Sequence, residues 1–556
     1  MMTALRAWLL AHDGRRAWAL GLSLVVLVVL LAALPTTGIT DDDDFYAPAG
    51  ISYARWVGKA FTFQQGAWSR GEIDRAFQPN HEHPPMAKYV MGFTWWLLTD
   101  RLGIFTTLDG ARAGVSLLAA LLAYVVASLG FLLRGRWGAV TAVLCLFTLP
   151  RFFFHSTVAT LDVPVASLTT LAGYLCWRGR RSLRHAYAAA VAFGAALLTK
   201  LNAPFLLVAV AVHWLLRAAR LVRVEGGRLI LPPLPLTVPL MVLVGPAMFL
   251  LLWPHLWFDT AKRLGAYFGF HLNHYPIYLY YLGKLYTQAI PPWHMPWVMF
   301  VAVTPLLILV LMLVGAAHGA RALYREATVP LVAGSVLPAD GDDERDSLRA
   351  FLFIQAFVAI GIVSFTGVPK YGGEKLFMPF FPLMAVFAAD GAALVAEGLR
   401  ALFRLPARAA QLLPTTLAAL NGLWGLITVH PYNLSYYGEA ILGIRGAEAI
   451  GFENTYYDVA DKKLIRWMNE NAPPGAKVHF EPNHKEYVRT WNWLARDGYL
   501  RRDILTSDER DADYVVLTHE RRWNTYPALA MRLRTLPVVH EARYDGVRLY
   551  TVYKRR

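Results

Sequence analysis

The sequence predicts a polytopic α-helical membrane protein carrying a soluble α/β domain at its C-terminal end. Three observations lead there. Of 556 residues, 56% are hydrophobic and 17% charged, whereas an average soluble domain carries roughly 25% charged residues. The apolar residues come in runs, and a helix of about 20 such residues spans a bilayer core. The arginines and lysines fall in short clusters between those runs, as they do in the cytoplasmic loops of membrane proteins. That placement accounts for the formal charge of +15, so nucleic acid is not expected as a partner and membrane lipids are.

The first apolar run covers residues 18–34 and follows Arg6, Arg15 and Arg16. It is long for a signal peptide and no small-x-small cleavage site follows it. It reads as a retained helix with its N-terminus in the cytoplasm. Further spans are expected at 113–133, 137–154, 163–177, 186–199, 204–216, 236–253, 297–315, 350–365, 376–395 and 412–429, about eleven in all. Residues 86–98 are apolar but short and follow Pro84-Pro85. Counting them as a span would invert every later loop, so they read as an amphipathic helix at the interface, a depth that suits Trp95 and Trp96.

With that assignment the arginine-rich loops alternate. Arg134 and Arg136, then Arg178, Arg180, Arg181 and Arg184, then Arg217, Arg220 and Arg223, then residues 321–349, then Arg400, Arg404 and Arg408 all share the cytoplasmic side. The other side receives a large first loop (36–112), the turn at Asp162, the surroundings of Lys200, residues 254–296, the turn 367–375 and everything beyond His430. Residues 1–429 therefore read as a transmembrane domain. Residues 430–556 read as an outer α/β domain, with a helix over 461–471 stopped by Pro473-Pro474-Gly475 and strands at 477–481, 514–518 and 547–553. Cys145 and Cys176 lie inside apolar runs and read as core residues, not as a disulfide or thiolate metal site. The acidic stretch 340–346 reads as a solvated loop.

The residues suited to chemistry lie on the outer side. Asp41-Asp42-Asp43-Asp44 directly follows the first helix and precedes Phe45-Tyr46. A carboxylate at a membrane exit can serve as general base toward an acceptor hydroxyl. The run could also hold a divalent cation through oxygen ligands. A solvated acidic loop is the plainer alternative. Asn80-His81-Glu82-His83-Pro84-Pro85, with Lys88 one turn on, suits a phosphate better than zinc, because no further ligand set at regular spacing accompanies it. Asp162 sits at an outer helix start, where an N-cap explains it as readily as a functional role. Lys200, Lys370 and Lys375 place positive charge on the outer side against the orientation rule. Anionic head groups or a lipid-phosphate donor would explain them. The segment 254–296 is rich in aromatics and His (His271, His274, Tyr275, Tyr278, Tyr280, Tyr281, Tyr286, Trp293, His294), which suits either an interface belt or sugar stacking.

Together these motifs resemble the GT-C glycosyltransferases, in particular the family 39 protein O-mannosyltransferases and the lipid A aminoarabinose transferases. An acidic pair with an aromatic after the first helix, His83-Pro84-Pro85-Met86-Ala87-Lys88-Tyr89, Leu161-Asp162, and Lys370-Tyr371 leading to Pro379 and Pro382 carry the resemblance, which spans residues 18–429. The resemblance implies an Asp-Glu-like pair with an aromatic four residues after the Asp. Asp42 with Tyr46 fits, Asp43 then taking the Glu place; Asp41 with Phe45 is the other register. It implies catalytic roles for Asp42, Asp43 and Asp162, donor-phosphate contacts from Lys88, His83, Lys200, Lys370 and Lys375, and substrate contacts from Tyr46 and Glu82. The activity implied is an inverting transfer of a sugar from a polyprenyl-phosphate donor to a protein, lipid or glycan acceptor on the periplasmic side of a bacterial-type inner membrane, without an essential nucleotide sugar. No cofactor follows beyond the divalent cation named above. A transporter would place its charges near the bilayer midplane and show paired repeats, and neither is visible. A lipid-linked glycan ligase or polymerase shares the lipid-phosphate logic without requiring the acidic pair.

Overall fold

The computed structural model describes residues 14–221, 223–225, 228–230, 234–273, 277–288, 290–328, 342–456 and 461–555. Arg6, His274, Tyr275 and residues 329–341 lie outside them. Helix falls on each expected apolar segment. Among the described residues, six helices are long and apolar enough to cross a bilayer: Arg15–Thr36, Thr107–Phe147, Leu306–Thr328, Glu344–Ser364, Phe380–Phe403 and Ala407–Val429. Phe205–Leu216 and Thr237–Leu251 are shorter apolar helices. The chain is a multi-pass membrane protein. Its first helix keeps Leu20, Leu24, Val25, Val28 and Val29 exposed, an apolar face that only lipid would cover without penalty.

The 41-residue helix Thr107–Phe147 is two antiparallel halves. Arg134 and Gly135 leave helical geometry (φ −139° and +63°). A Cβ on Gly138 would lie 2.2 Å from the Gly130 carbonyl oxygen, although eight residues of continuous helix would separate these positions by about 12 Å. The arginines between the two expected spans thus mark a tight turn. The expected span 297–315 is broken, in contrast: Met295–Val303 and Leu306–Thr328 are separate helices. Thr304 is extended (φ −101°, ψ 129°) ahead of Pro305, because a residue before proline is pushed out of the helical region. Residues 86–98 form the short helix Met86–Trp95, continued by a wider π-turn over Trp96–Arg101.

Beyond Val429 a five-stranded mixed sheet runs in the order Leu505–Thr506, Lys477–Glu481, Tyr514–Thr518, Val547–Lys554 and Val538–Tyr544. The first three strands are parallel and the last two antiparallel. Helices Lys462–Asn471, His484–Arg496 and Tyr526–Leu533 accompany it. Two strands and two of these helices were not expected. A two-residue edge strand such as Leu505–Thr506 has no alternation to read, since its pairing comes from its neighbour and not from its own pattern.

Candidate active site

The four aspartates open a helix, Asp41–Phe61. Thr40 is its N-cap: its Oγ1 accepts from the Asp43 N–H at 3.3 Å, and the Asp43 carboxylate accepts from the Thr40 N–H at 2.9 Å. Consecutive carboxylates are tolerated here because a helix N-terminus carries partial positive charge. Successive residues turn about 100° around a helix, so the carboxylates diverge and each reaches a different partner.

Asp42 faces Lys375, whose Nζ donates to both carboxylate oxygens at 2.7 Å. Lys375 also lies 3.9 Å from Asp162, and Lys200 donates to the other oxygen of Asp162. The Thr160 hydroxyl is 3.2 Å from Asp42 and 2.9 Å from Asp162, and its single proton serves one at a time. Two carboxylates and two ammoniums, from segments up to 333 residues apart, thus form a charge-balanced buried quartet. Burial works against the Lys375 ammonium, but Asp42, with Asp162 and Asp41, outweighs it and raises its pKa above the ordinary lysine value.

Tyr46 lies one turn along from Asp42, buried, with its ring edge-on to His83 at 5.9 Å between centroids. The His83 ring also packs against Phe270 and His271. Burial, then the nearby charges of Lys88, His271, Lys200 and Lys375, drives its pKa well below the usual histidine value. It is therefore a neutral imidazole, and its buried Nδ1 has no hydrogen-bond partner among the described residues. Glu82 accepts from the Asn80 amide at 3.0 Å.

Three residues expected at the reacting centre have other occupations. Asp43 is fully buried, bound in a two-pronged fashion by Arg112 (3.0 and 2.7 Å) and by the Ala159 N–H at 2.8 Å. It locks the helix start to the segment leading into Asp162. Lys88 is fully buried and donates to the Asn80 carbonyl (2.7 Å), the Asn80 side chain (2.9 Å) and the His83 carbonyl (2.7 Å). With a fourth contact to the Tyr53 hydroxyl at 3.2 Å, these bonds order the loop beneath His83. Lys370 folds back onto the Phe365 and Val368 carbonyls at 3.1 and 2.9 Å.

Sequence reasoning missed Arg112, Arg151, His155 and Glu374. Arg151 is 2% exposed and donates to Glu374 at 3.0 Å and to the Tyr436 carbonyl at 2.9 Å. Its guanidinium lies over the rings of Tyr437 and Tyr456 at 4.5 and 5.1 Å. Glu374 precedes Lys375 in a turn where Gly372 and Gly373 take left-handed φ of 64° and 63°. A Cβ on Gly373 would meet the Arg151 guanidinium at 3.3 Å. The Arg151–Glu374 pair thus sets the turn that delivers Lys375, while His155 approaches Glu374 at 3.5 Å. Arg112 carries the same signal as the lysines, a basic residue in the expected first loop 36–112, whereas Arg151 lies inside the expected span 137–154, where a lone arginine is itself the signal.

The sheet-bearing segment grips the same region. The Thr490 hydroxyl donates to Asp44 at 2.8 Å, and Arg489 covers the Phe45 ring at 4.6 Å. The Tyr499 hydroxyl donates to Asp109 at 2.7 Å, and Lys462 donates to the Pro35 carbonyl at 2.9 Å. Burial, with help from the Asp43 charge and opposed by Thr490, Arg489 and Arg112, pushes the Asp44 carboxyl up from 3.8 to about 7. A carboxyl raised in the folded protein favours the folded state while it is protonated. That contribution is fully present below the ordinary carboxyl pKa and is lost as pH climbs toward 7. Hydrogen–deuterium exchange over His484–Arg496 should rise between pH 5 and about 8 more than intrinsic exchange requires. Asp44→Asn should flatten that rise, and an unchanged profile would exclude Asp44 as its source.

Because the aspartates diverge, they do not converge on one cation. Among the described residues, His479, Glu481 and Glu509 form a group with three metal-type ligand atoms within 4.8 Å. It lies in the C-terminal sheet, and Glu509 there is already paired with Arg532 and, at 2.8 Å, with Arg555.

No protein-family model matches the chain, and no curated protein matches it. Solved structures similar to it include ArnT from Cupriavidus metallidurans in the apo state, 13% identical over 96% of this chain and 98% of that one, with a TM-score of 0.49. ArnT from Cupriavidus metallidurans bound to undecaprenyl phosphate is 15% identical over 96% and 98%, TM-score 0.45. The archaeal oligosaccharyltransferase AglB from Archaeoglobus fulgidus, in complex with an inhibitory peptide and a dolichol-phosphate, is 11% identical over 98% and 74%, TM-score 0.43.

Proposed function

We propose that this chain is an integral-membrane glycosyltransferase of GT-C type that moves a sugar from a polyprenyl-phosphate donor to an acceptor hydroxyl or amine. The observation that carries this reading is the buried quartet of Asp42, Asp162, Lys200 and Lys375, which joins a base to phosphate-binding cations. In the reaction Asp42 takes the acceptor proton. The acceptor's electron pair attacks the anomeric carbon, and the carbon–oxygen bond to phosphate breaks on the opposite face with inversion. The phosphate leaves with the bonding pair. Lys375 passes from Asp42 to the phosphate, and Lys200 turns to it from Asp162, so cationic charge follows the negative charge as it develops. Tyr46, Glu82 and the neutral His83 line the sugar, and Asp162 holds Lys200 until the donor arrives. Asp43, Lys88 and Lys370 hold the site together.

The arginine clusters support a cytoplasmic N-terminus, with the quartet and residues 430–556 on the periplasmic side of the inner membrane. Residues 1–429 then form the catalytic membrane domain and 430–556 an outer domain that clamps the Asp42 helix.

The test is mass spectrometry of surface glycolipids and glycoproteins from cells with and without the protein, followed by transfer from a synthetic polyprenyl-phosphate sugar. Loss of one glycoform supports the reading, and identical profiles refute it. Lys375→Ala should lower kcat/KM for the donor about 10- to 100-fold, as expected for a charged hydrogen bond of about 1.5–3 kcal/mol.

A further inference from the structure

The helix that opens on the four aspartates ends at Phe61, and residues 60–69 contain no charged side chain. The loop that follows the helix exposes Phe61 (80%), Phe63 (84%) and Trp68. Phe63 has a left-handed φ of 51°, a conformation that glycine or asparagine adopts readily and a bulky aromatic rarely does. A ring so exposed at such a position adds little to the packing of the chain itself. The charges on either side of the loop are drawn into ion pairs. Lys59 binds Glu72 at 2.6 Å, and Arg70 binds Asp259 and, at 3.5 Å, Asp74.

The base of the loop is tied to the end of an apolar helix. The Trp68 ring stacks on Trp257, 5.9 Å between centroids and 5° between planes, and Trp56 meets both edge-on. The Trp257 indole N–H donates to the Leu250 and Leu251 carbonyls at 3.2 Å each. These residues close the apolar helix Thr237–Leu251, where Leu250, Leu251 and Leu252 are exposed. An indole bonded to terminal carbonyls beside exposed leucines is the arrangement of an aromatic belt at a membrane interface. The same helix end lies beside Lys200. Thr237–Leu251 packs along Leu183–Leu197, where a Cβ on Gly245 would meet Leu197 at 2.8 Å, and Lys200 follows that helix. The aromatic loop therefore sits at the Asp42 end of the bundle.

We infer that the loop 61–68, backed by Trp257, inserts its aromatic rings into the lipid bilayer at the Asp42 end of the bundle and anchors the far end of the Asp42 helix at the membrane surface. Water would penalise a contiguous uncharged aromatic tip. A protein partner could also cover it, but the patch continues the exposed end of an apolar helix, where lipid is already the neighbour. The inference does not depend on the sugar transfer proposed above.

The test uses the full-length protein in phosphatidylcholine nanodiscs. The two cysteines, Cys145 and Cys176, are buried, so Phe63→Cys takes up an environment-sensitive fluorophore at residue 63. Its emission should shift to the blue and be quenched by phosphatidylcholine carrying a nitroxide on its acyl chain, but not by aqueous iodide. The same label on Glu470→Cys, exposed on a helix of the sheet-bearing segment, should show the reverse. If Phe63→Cys does not fold, Gln65→Cys, exposed in the same loop, gives the reading. Iodide quenching in the loop equal to that at residue 470, with no effect of the lipid nitroxide, would overturn the inference. Relief of iodide quenching by an added soluble oligosaccharide would reassign the rings to a glycan and equally overturn it.

Discussion

Sugar transfer by an Asp42→Asn variant should fall about 10²- to 10⁴-fold, the range a positioned general base contributes. The substitution keeps the volume of the side chain and removes its charge. Lys375 then loses the carboxylate that holds it at 2.7 Å and is released toward the donor phosphate. Donor affinity should therefore stay the same or rise while kcat falls, a split that a merely unfolded variant cannot produce. Single-turnover transfer and equilibrium binding of the polyprenyl-phosphate sugar, measured on one preparation, separate the two. Wild-type turnover in Asp42→Asn would remove Asp42 from the reaction and shift attention to Asp41, the other register.

Arg112→Leu should destabilise the fold by about 3–5 kcal/mol, the cost of breaking a buried ion pair from one side. Arg112 and Asp43 are 0% and 1% exposed at their side chains, and Asp109 lies 3.6 Å from the same guanidinium. The substitution leaves two carboxylates buried without their cation. Asp43→Asn in the Arg112→Leu background should recover part of that loss, because the remaining group no longer carries charge. Unfolding of the detergent-solubilised variants by heat or denaturant measures both. If the double variant is no more stable than Arg112→Leu, unpaired charge on Asp43 is not the cause.

Much of the architecture was legible in order along the chain. Apolar runs mark the helices because the face of a membrane helix that meets lipid and the face that packs on its neighbours are both apolar. Arg134-Gly135 marks the hairpin turn between two runs, and the demoted segment 86–98 is the short helix with its π-turn. The broken helix at Thr304-Pro305 was legible too, through the proline, yet was passed over because hydropathy does not register it.

The site was legible only as a set of residues. Asp42, Asp162, Lys200 and Lys375 stand out by type and by their place between apolar runs, and so would Arg112 had the same rule been applied to arginine, while Arg151 stands out as a charge inside an apolar run. Their division of labour was not legible. Asp42, Asp43 and Asp44 are chemically identical neighbours, and only the helical turn that separates them by about 100° sends one to Lys375, one to Arg112 and one to Thr490. Likewise Lys88 and Lys375 are both buried lysines, but one donates to carbonyls of its own loop and the other to carboxylates. The amino-acid order by itself determined which segments form apolar helices and which charged residues stand out among them, because both follow from solvation of single side chains. Which charge meets which was decided by the tertiary structure, because a pair forms over a few ångströms between segments hundreds of residues apart, and no local pattern encodes that distance.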